Sequence, residues 1–269
     1  MHAISDQEFG QFQRFIFEAA GISLSPAKKA LVTGRLSKRL HACGAQTYSA
    51  YLALLKSGGH AAEVQTAIDL LTTNETYFFR EPRHFDLLAS TFGGENAQRR
   101  GAQPVRAWSA ASSSGEEAYS IAMVLKDKMQ GRPFEVVGTD ISTRMLQRAR
   151  TGHYPEQRTR HIPQDYLKRF CLKGRGEQAG TLLVDRGVRE HVRFLHANLN
   201  APLPDLGPFD VAFLRNVLIY FNGETKRQVV ERVLSRVRPG GWLYIGHSES
   251  LHGLALPVQQ VMPSVYRKP

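Results

Sequence analysis

From about Pro104 onward the chain alternates strand-like and helix-like segments, and that alternation limits the fold more than any other feature. Val105–Trp108, Val136–Thr139, Val192–His196, Val211–Leu214 and Trp242–Ile245 are short runs rich in β-branched and aromatic residues. Between them Glu116–Lys128, Ser142–Arg150 and Thr225–Val237 carry helical patterns, the last ended by Pro239-Gly240-Gly241. Strands separated by helices form a parallel sheet covered on both faces. Val258–Met262 and Val265–Arg267, around Pro263, read as a closing hairpin. Residues about 161–191 interrupt the alternation with Gly174, Gly176, Gly180 and then Thr181-Leu182-Leu183-Val184, the pattern of a small antiparallel β insert.

Residues 1–73 read instead as an all-α domain. Phe9, Phe12, Phe15, Ile16 and Ala19 repeat at helical spacing ahead of Gly21. Ser25-Pro26 opens a second helix reaching about Cys43-Gly44, and Tyr48–Lys56 and Ala61–Leu71 follow. On that second helix Lys28, Arg35 and Arg39 fall within about 20° of one another, with no acid between Lys28 and Arg39. This predicts a basic ridge for an acidic partner. Residues 74–103 are read as a linker that carries binding residues, and 104–269 as the sheet domain.

The 269 residues carry 35 Lys+Arg against 24 Asp+Glu, a net charge of +11, which also favours an acidic partner. With 42% hydrophobic and 22% charged residues the composition is that of a globular protein, not a coiled coil or a disordered chain. No apolar run reaches the ~18 residues a membrane span needs, and the acidic start is unlike a signal peptide. Cys43 and Cys171 are too far apart for a metal knuckle. The expectation is a cytoplasmic protein with no membrane insertion and no metal.

In parallel sheets ligands bind beyond the carboxyl ends of the strands. After the first strand comes Ser109-Ala110-Ala111-Ser112-Ser113-Ser114-Gly115, small residues that let backbone approach a ligand, followed by a helix start at Glu116-Glu117. The second strand ends in Asp140, placed to hold a ribose diol. A small-residue loop plus this acid indicates a nucleoside. The G-x-G-x-x-G expected for a pyrophosphate is missing there, and Gly174-Arg175-Gly176-Glu177-Gln178-Ala179 lies in the insert, ahead of a strand. A nucleoside without pyrophosphate favours S-adenosylmethionine.

Four motifs, Thr73-Asn74-Glu75-Thr76-Tyr77-Phe78-Phe79-Arg80-Glu81, Trp108–Glu117, Leu214-Arg215-Asn216-Val217-Leu218-Ile219-Tyr220-Phe221 and Gly246-His247-Ser248-Glu249, occur in an order that resembles the CheR-type chemoreceptor glutamate methyltransferases. The resemblance covers nearly the whole chain. It implies an α/β fold with a Rossmann-like, class I methyltransferase sheet, an N-terminal all-α domain and a small antiparallel insert. It implies that S-adenosylmethionine is converted to S-adenosylhomocysteine as receptor glutamates become methyl esters, in chemotactic adaptation. Asn74, Thr76 and Arg80 would reach the methionine end, Glu117 and Asp140 would hold the cofactor, and Asn198-Leu199 would flank the adenine. Arg215-Asn216 would close the site, with Arg80 and Tyr220 facing the methyl group. The partner would be the cytoplasmic domain of a methyl-accepting receptor, approached by the helix bearing Lys28, Arg35 and Arg39. A C-terminal receptor peptide would bind the insert, and the protein would be a monomer.

The chemistry is consistent with these residues. A glutamate, with a pKa of about 4.3, is already a nucleophile at neutral pH. Amine methyltransferases of similar fold carry an Asn/Asp-Pro-Pro-aromatic segment where this chain has Arg215-Asn216-Val217-Leu218. A nucleic-acid methyltransferase is disfavoured by sparse aromatics in the basic insert (Tyr154, Tyr166, Phe170). Gly246-His247-Ser248-Glu249-Ser250 only nearly matches a nucleophile elbow, and too late in the chain for a hydrolase triad to follow. A catalytically silent cofactor sensor is disfavoured by Arg80 and Tyr220.

Overall fold

The computed structural model describes residues 4–95 and 103–269. Residues 1–3 of the expected helical domain and 96–102 of the expected linker lie outside the described residues. The first unit contains α1 (Asp6–Ala20), α2 (Lys29–Ala42), α3 (Tyr48–Lys56) and α4 (Ala61–Leu71). α1 begins where Ser5 and Glu8 cap each other's backbone amides and stops at Gly21, φ 72°. Phe12, Ile16, Val32, Leu36 and Tyr51 fill the space between these helices.

The basic ridge of α2 is not free. Arg35 donates to the carbonyls of Leu70 at 3.1 Å and Thr72 at 2.9 Å, satisfying the carboxyl end of α4. Arg39 pairs with Glu63, which also accepts from the Tyr51 hydroxyl. Burial alone would push the Glu63 carboxyl up, but Arg39 and Tyr51 hold it below its ordinary value. Arg35 and Arg39 are thus engaged inside the helical unit, while Lys28 is exposed.

The second unit is a seven-stranded sheet in the order β6-β2-β1-β7-β8-β10-β9. Its strands are β1 (Val105–Ala110), β2 (Phe134–Asp140), β6 (Val192–His196), β7 (Phe209–Leu214), β8 (Val237–Ile245), β9 (Gln259–Met262) and β10 (Val265–Arg267). The first five in spatial order are parallel, and the β9–β10 hairpin adds antiparallel to β8. The chain runs outward from β1 to β6, then returns to place β7 on the other side of β1, which creates a switch point at the β1 and β7 carboxyl ends.

Alternate residues divide the core between the two faces. Val105, Ala107, Val211 and Phe213 meet α5 (Arg83–Phe92) and α6 (Glu116–Lys128), whereas Trp108, Ala212 and Leu214 meet α10 (Gly223–Ser235). The expected linker is therefore largely part of the sheet unit: Phe78, Phe79, Phe85, Leu88 and Phe92 lie in its core.

The insert begins earlier than residue 161. A three-stranded antiparallel sheet, β3-β5-β4, joins β3 (His153–Pro155), β4 (Cys171–Lys173) and β5 (Thr181–Val184), with the helix α8 (Gln164–Phe170) between β3 and β4. The turn α9 (Arg186–Arg189) leads on to β6.

Asp69, near the end of α4, joins the two units. Its buried carboxylate accepts from the Thr143 amide at 3.0 Å, the Thr143 hydroxyl at 2.9 Å and the Arg144 amide at 3.2 Å, at the start of α7 (Thr143–Thr151). Gln65 adds a bond to the Ile141 carbonyl at 2.9 Å. Asp69→Ala strands those donors and is expected to lower the unfolding free energy by about 2–3 kcal/mol in a urea titration. An unchanged urea midpoint would reject Asp69 as the joint.

Candidate active site

A cleft of about 940 Å³, mouth included, opens at the switch point and is roofed by the helical unit. The α1 end makes that roof possible. A side chain at Gly21 would meet Thr225 and Asn200 within 3 Å, so glycine lets the following residues reach the sheet. Ile22 bridges Phe221, and the Ser23 amide donates to the Tyr220 carbonyl at 2.8 Å. Ala20 and Ile22 then line the cleft opposite Asp140 and Leu199.

The loop after β1 sets the floor. Gly115, φ 94°, begins α6 where any side chain would strike Ala149 and Phe194. The Asp140 carboxylate is 6% exposed and accepts from the Ser113 amide at 2.7 Å and the Ser142 amide at 2.8 Å. Two fixed donors aim it and leave lone pairs toward the cleft. Burial pushes its pKa up to about 6 despite those bonds. Asn198 is braced from both ends: its amide donates to the Ala19 carbonyl at 2.7 Å and its oxygen accepts from the Asn200 amide at 2.9 Å. Its side-chain polar groups are therefore turned to holding the roof, and Leu199 supplies an apolar wall.

Arg215 lies at the centre with its side chain 1% exposed. It reaches Glu117 at 3.0 Å and Glu81 at 2.9 Å, donates to the Arg80 carbonyl, and lies against the rings of Phe85 and Phe213. Burial raises the Glu117 carboxyl above its ordinary range, against the pull of Arg215 and the Ser109 hydroxyl. Burial also works to raise Glu81, but there Arg215 prevails and the carboxyl is held low. His84, behind Glu81, is driven down to about 3, first by burial and then by Arg215.

The turn after β7 is shaped by Glu249. Its carboxylate accepts from the amides of Gly246 at 2.6 Å, Leu218 at 2.7 Å and Asn216 at 2.9 Å. Asn216 is left-handed, φ 57°, and its side chain donates to Glu81 at 3.2 Å. Phe79, Glu81, Ala111 and Ser113 are also left-handed non-glycine residues beside the cleft. Such positions cost on the order of 1–3 kcal/mol each and persist where surrounding bonds hold them.

All ten residues expected at the cofactor and catalytic site line this one cleft: Asn74, Thr76, Arg80, Glu117, Asp140, Asn198, Leu199, Arg215, Asn216 and Tyr220. Arg80 is held at the wall by the Glu75 carbonyl at 3.3 Å and lies over the Tyr77 ring. Tyr220 bonds to Thr73, and its hydroxyl is pushed up chiefly by burial. Lys28, Arg35 and Arg39 are not among the lining residues. Glu81 and Glu249 lie within the first and last of the four motifs, where the sequence alone assigns them no role. An acid inside each motif was the available signal; only the fold shows that both converge on the Arg215–Asn216 turn.

Residues 74–266 match the family model described as CheR methyltransferase, SAM binding domain, and residues 7–72 match the one described as CheR methyltransferase, all-alpha domain. The chain belongs to the CheR methyltransferase family. It is an S-adenosylmethionine-dependent methyltransferase. The chemotaxis protein methyltransferase of Escherichia coli (strain K12) is 39% identical over 255 residues, spanning 94% of this chain and 87% of that protein. Chemotaxis protein methyltransferase 2 of Pseudomonas aeruginosa is 38% identical over 263 residues, spanning 97% and 92%. The cleft fits such a cofactor: the small-residue loop leaves room, Asp140 keeps acceptor capacity for a diol, and the acids beside Arg215 suit a cation.

We propose that Asp140 accepts from the ribose diol, so that its protonation removes an acceptor. Cofactor affinity is therefore expected to be flat near neutral pH and to weaken as pH falls through about 6. Asp140→Ala should weaken binding and abolish this acid limb in a calorimetric titration. An unchanged Kd and profile would remove Asp140 from the ribose.

Proposed function

We propose that this chain methylates glutamate side chains in the cytoplasmic domain of methyl-accepting chemoreceptors, forming methyl esters that tune chemotactic signalling. The observation that carries this reading is the pairing of Arg80 and Tyr220 on the wall of the cleft that also holds Asp140 and Glu117. A guanidinium and a phenol recognise a carboxylate, one by charge and paired hydrogen bonds, the other by a single hydrogen bond. S-Adenosylmethionine supplies the sulfonium methyl when bound.

The carboxylate oxygen forms a bond to the methyl carbon as the sulfur–carbon bond breaks, and the sulfur leaves as a neutral thioether. No proton moves, so no general base is needed. What the protein contributes is alignment and exclusion of water. Arg80 orients one oxygen of the incoming carboxylate, and Tyr220 narrows the approach from the other side. Because an anion and a cation annihilate, a dry, enclosed cleft favours the transition state over the separated charges. The neutral ester loses its ionic hold on Arg80, which favours release.

The small sheet supports a tethering role. β3 and β4 are its edges, and Leu172 on β4 is 53% exposed, so an extended receptor tail is proposed to add as a further strand. Of the basic ridge, Lys28 remains the candidate contact to the acidic receptor helices. The protein is proposed to act as a monomer in the cytoplasm.

Incubation with methyl-labelled cofactor and receptor-bearing membranes, followed by base, is expected to release volatile methanol from the receptor band. Base-stable label would replace the ester reading with methylation at nitrogen. Arg80→Ala should lower kcat/KM by about a hundredfold or more, while Arg227→Ala, on the exposed face of α10, should not. Equal effects of the two changes would remove Arg80 from the reaction.

A further inference from the structure

Beside Arg215, three side chains from two distant parts of the chain converge: Glu81 and His84 around the start of α5, and His247 after β8. Glu81 Oε2 lies 3.5 Å from His84 Nδ1 and 3.8 Å from His247 Nε2, and all three donor atoms lie within 4.8 Å of one another. His84 is 2% exposed, and its Nδ1 has no hydrogen-bond partner.

The tautomer follows from the other ring nitrogen. Ser264 Oγ donates to the Pro263 carbonyl at 2.6 Å, which leaves it to accept from His84 Nε2, 2.9 Å away, and we assign the His84 tautomer from this bond. In that tautomer the proton is on Nε2, and the Nδ1 lone pair is aimed at Glu81 Oε2, 3.5 Å away. Two acceptors facing each other in a buried place repel. A cation between them would turn that repulsion into attraction.

We propose that Glu81, His84 and His247 form a binding site for a divalent transition-metal ion of the zinc class. Two imidazoles and one carboxylate are a donor set that favours Zn²⁺, Ni²⁺ or Co²⁺ over Mg²⁺ or Ca²⁺. Donors of a tetrahedral ion with bonds of about 2.1 Å lie roughly 3.4 Å apart, close to the 3.5 Å and 3.8 Å separations from Glu81; the remaining pair is closed by rotation of the exposed His247. The Ser264 bond to His84 is the kind of outer contact that fixes a ligand's tautomer and ring angle. An open cleft lined by His84, His247, Arg83, Asp86 and Ser264 gives the ion a path and leaves its fourth position to water.

The opposing charges are Arg215, 2.9 Å from Glu81 Oε2, and Arg83 on the cleft wall. Arg215 keeps Glu117 and the Arg80 carbonyl when Glu81 turns one oxygen to the ion, and Glu81 Oε1 keeps the Asn216 side chain and the His247 amide. Occupancy therefore draws on the same carboxylate that balances Arg215, which places the ion in direct electrostatic contact with the methyl-transfer cleft.

The test uses the untagged full chain, stripped with a chelator. Zn²⁺ is titrated by calorimetry and Co²⁺ by visible absorption. The expected result is one ion per chain and a tetrahedral Co²⁺ spectrum, with affinity weakened at least about tenfold in His247→Ala and unchanged in His60→Ala, an exposed histidine of the helical unit. His247 is half exposed, so its removal leaves the core intact; far-ultraviolet circular dichroism checks this. No stoichiometric binding by the wild type, or equal binding by His247→Ala, would overturn the proposal. Loss of binding in both variants would place the ion elsewhere and overturn it too.

Discussion

The site depends on one buried arginine held between two acids. Arg215 carries a full positive charge in a place 1% exposed, bonded to Glu81 on one side and Glu117 on the other. Removing one member of such a buried arrangement costs about 3–5 kcal/mol, because its partners stay buried and unbalanced. Each acid comes from a different structural source. Glu117 is carried by α6, against the sheet; Glu81 sits in the left-handed turn before α5; Arg215 itself follows β7. Binding them into one ionic group draws three elements together, and the Arg80 carbonyl is caught in the same grip. The orientation of Arg80, at the cleft wall, is thus coupled to charges it does not touch.

Glu249 completes the arrangement from the far end of the chain. One carboxylate gathering the amides of Gly246, Asn216 and Leu218 acts as the missing partner for a turn that has no regular ladder to satisfy it. Glycine at 246 gives this turn room, since a Cβ there would lie 2.5 Å from the side-chain nitrogen of Asn216, 2.9 Å from Glu249 Oε2 and 3.0 Å from the Asn216 backbone nitrogen. The helical unit closes the other side. Asp69, Gln65 and the Ile22–Phe221 bridge attach it to the segments that follow β2 and β7, the first directly after Asp140 and the second bearing Tyr220. A roof anchored through binding loops makes the enclosure of the cleft and the stability of the interface one property.

What was legible in the chain was local. The repeats over Tyr48–Lys56 and Ala61–Leu71 match α3 and α4, and the strand ends pointed to the loop at Ser109–Gly115 and to Asp140. Illegible features were those whose partners lie far away. Arg39 looked free because Glu63 belongs to another helix, and the Lys28–Arg35–Arg39 stripe says nothing of that. β3 is not visible in the sequence because three residues, His153-Tyr154-Pro155, carry no periodicity; only pairing with β5 makes them a strand. α5 passed for linker although Phe85, Leu88 and Phe92 repeat helically, because Pro82 offers no side-chain cap to announce it. The Glu81–His84–His247 group escaped for the same reason of distance: an acid and a histidine three apart are unremarkable until β8 brings the third ligand beside them.

Charge is laid out along the cleft in a way that suits the proposed chemistry. The floor holds Asp140 and Glu117, with Glu81 behind Arg215, and these acids against the guanidinium of Arg215 give a balance that favours a cofactor bearing a sulfonium and an ammonium group. Arg80, at the wall, provides the opposite sign for an incoming carboxylate. Neither attraction need discriminate the transition state by itself, since both act on the ground state. Their value lies in bringing an anion and a cation together in a place that water leaves. In the proposed reaction the sulfur becomes neutral and the acceptor an ester once the methyl group has moved, so each product has lost one of the charges the cleft balances, while the ammonium of the cofactor product stays. The weakening on the product side is then confined to the sulfur and the acceptor carboxyl, and both changes act through one fixed set of side chains.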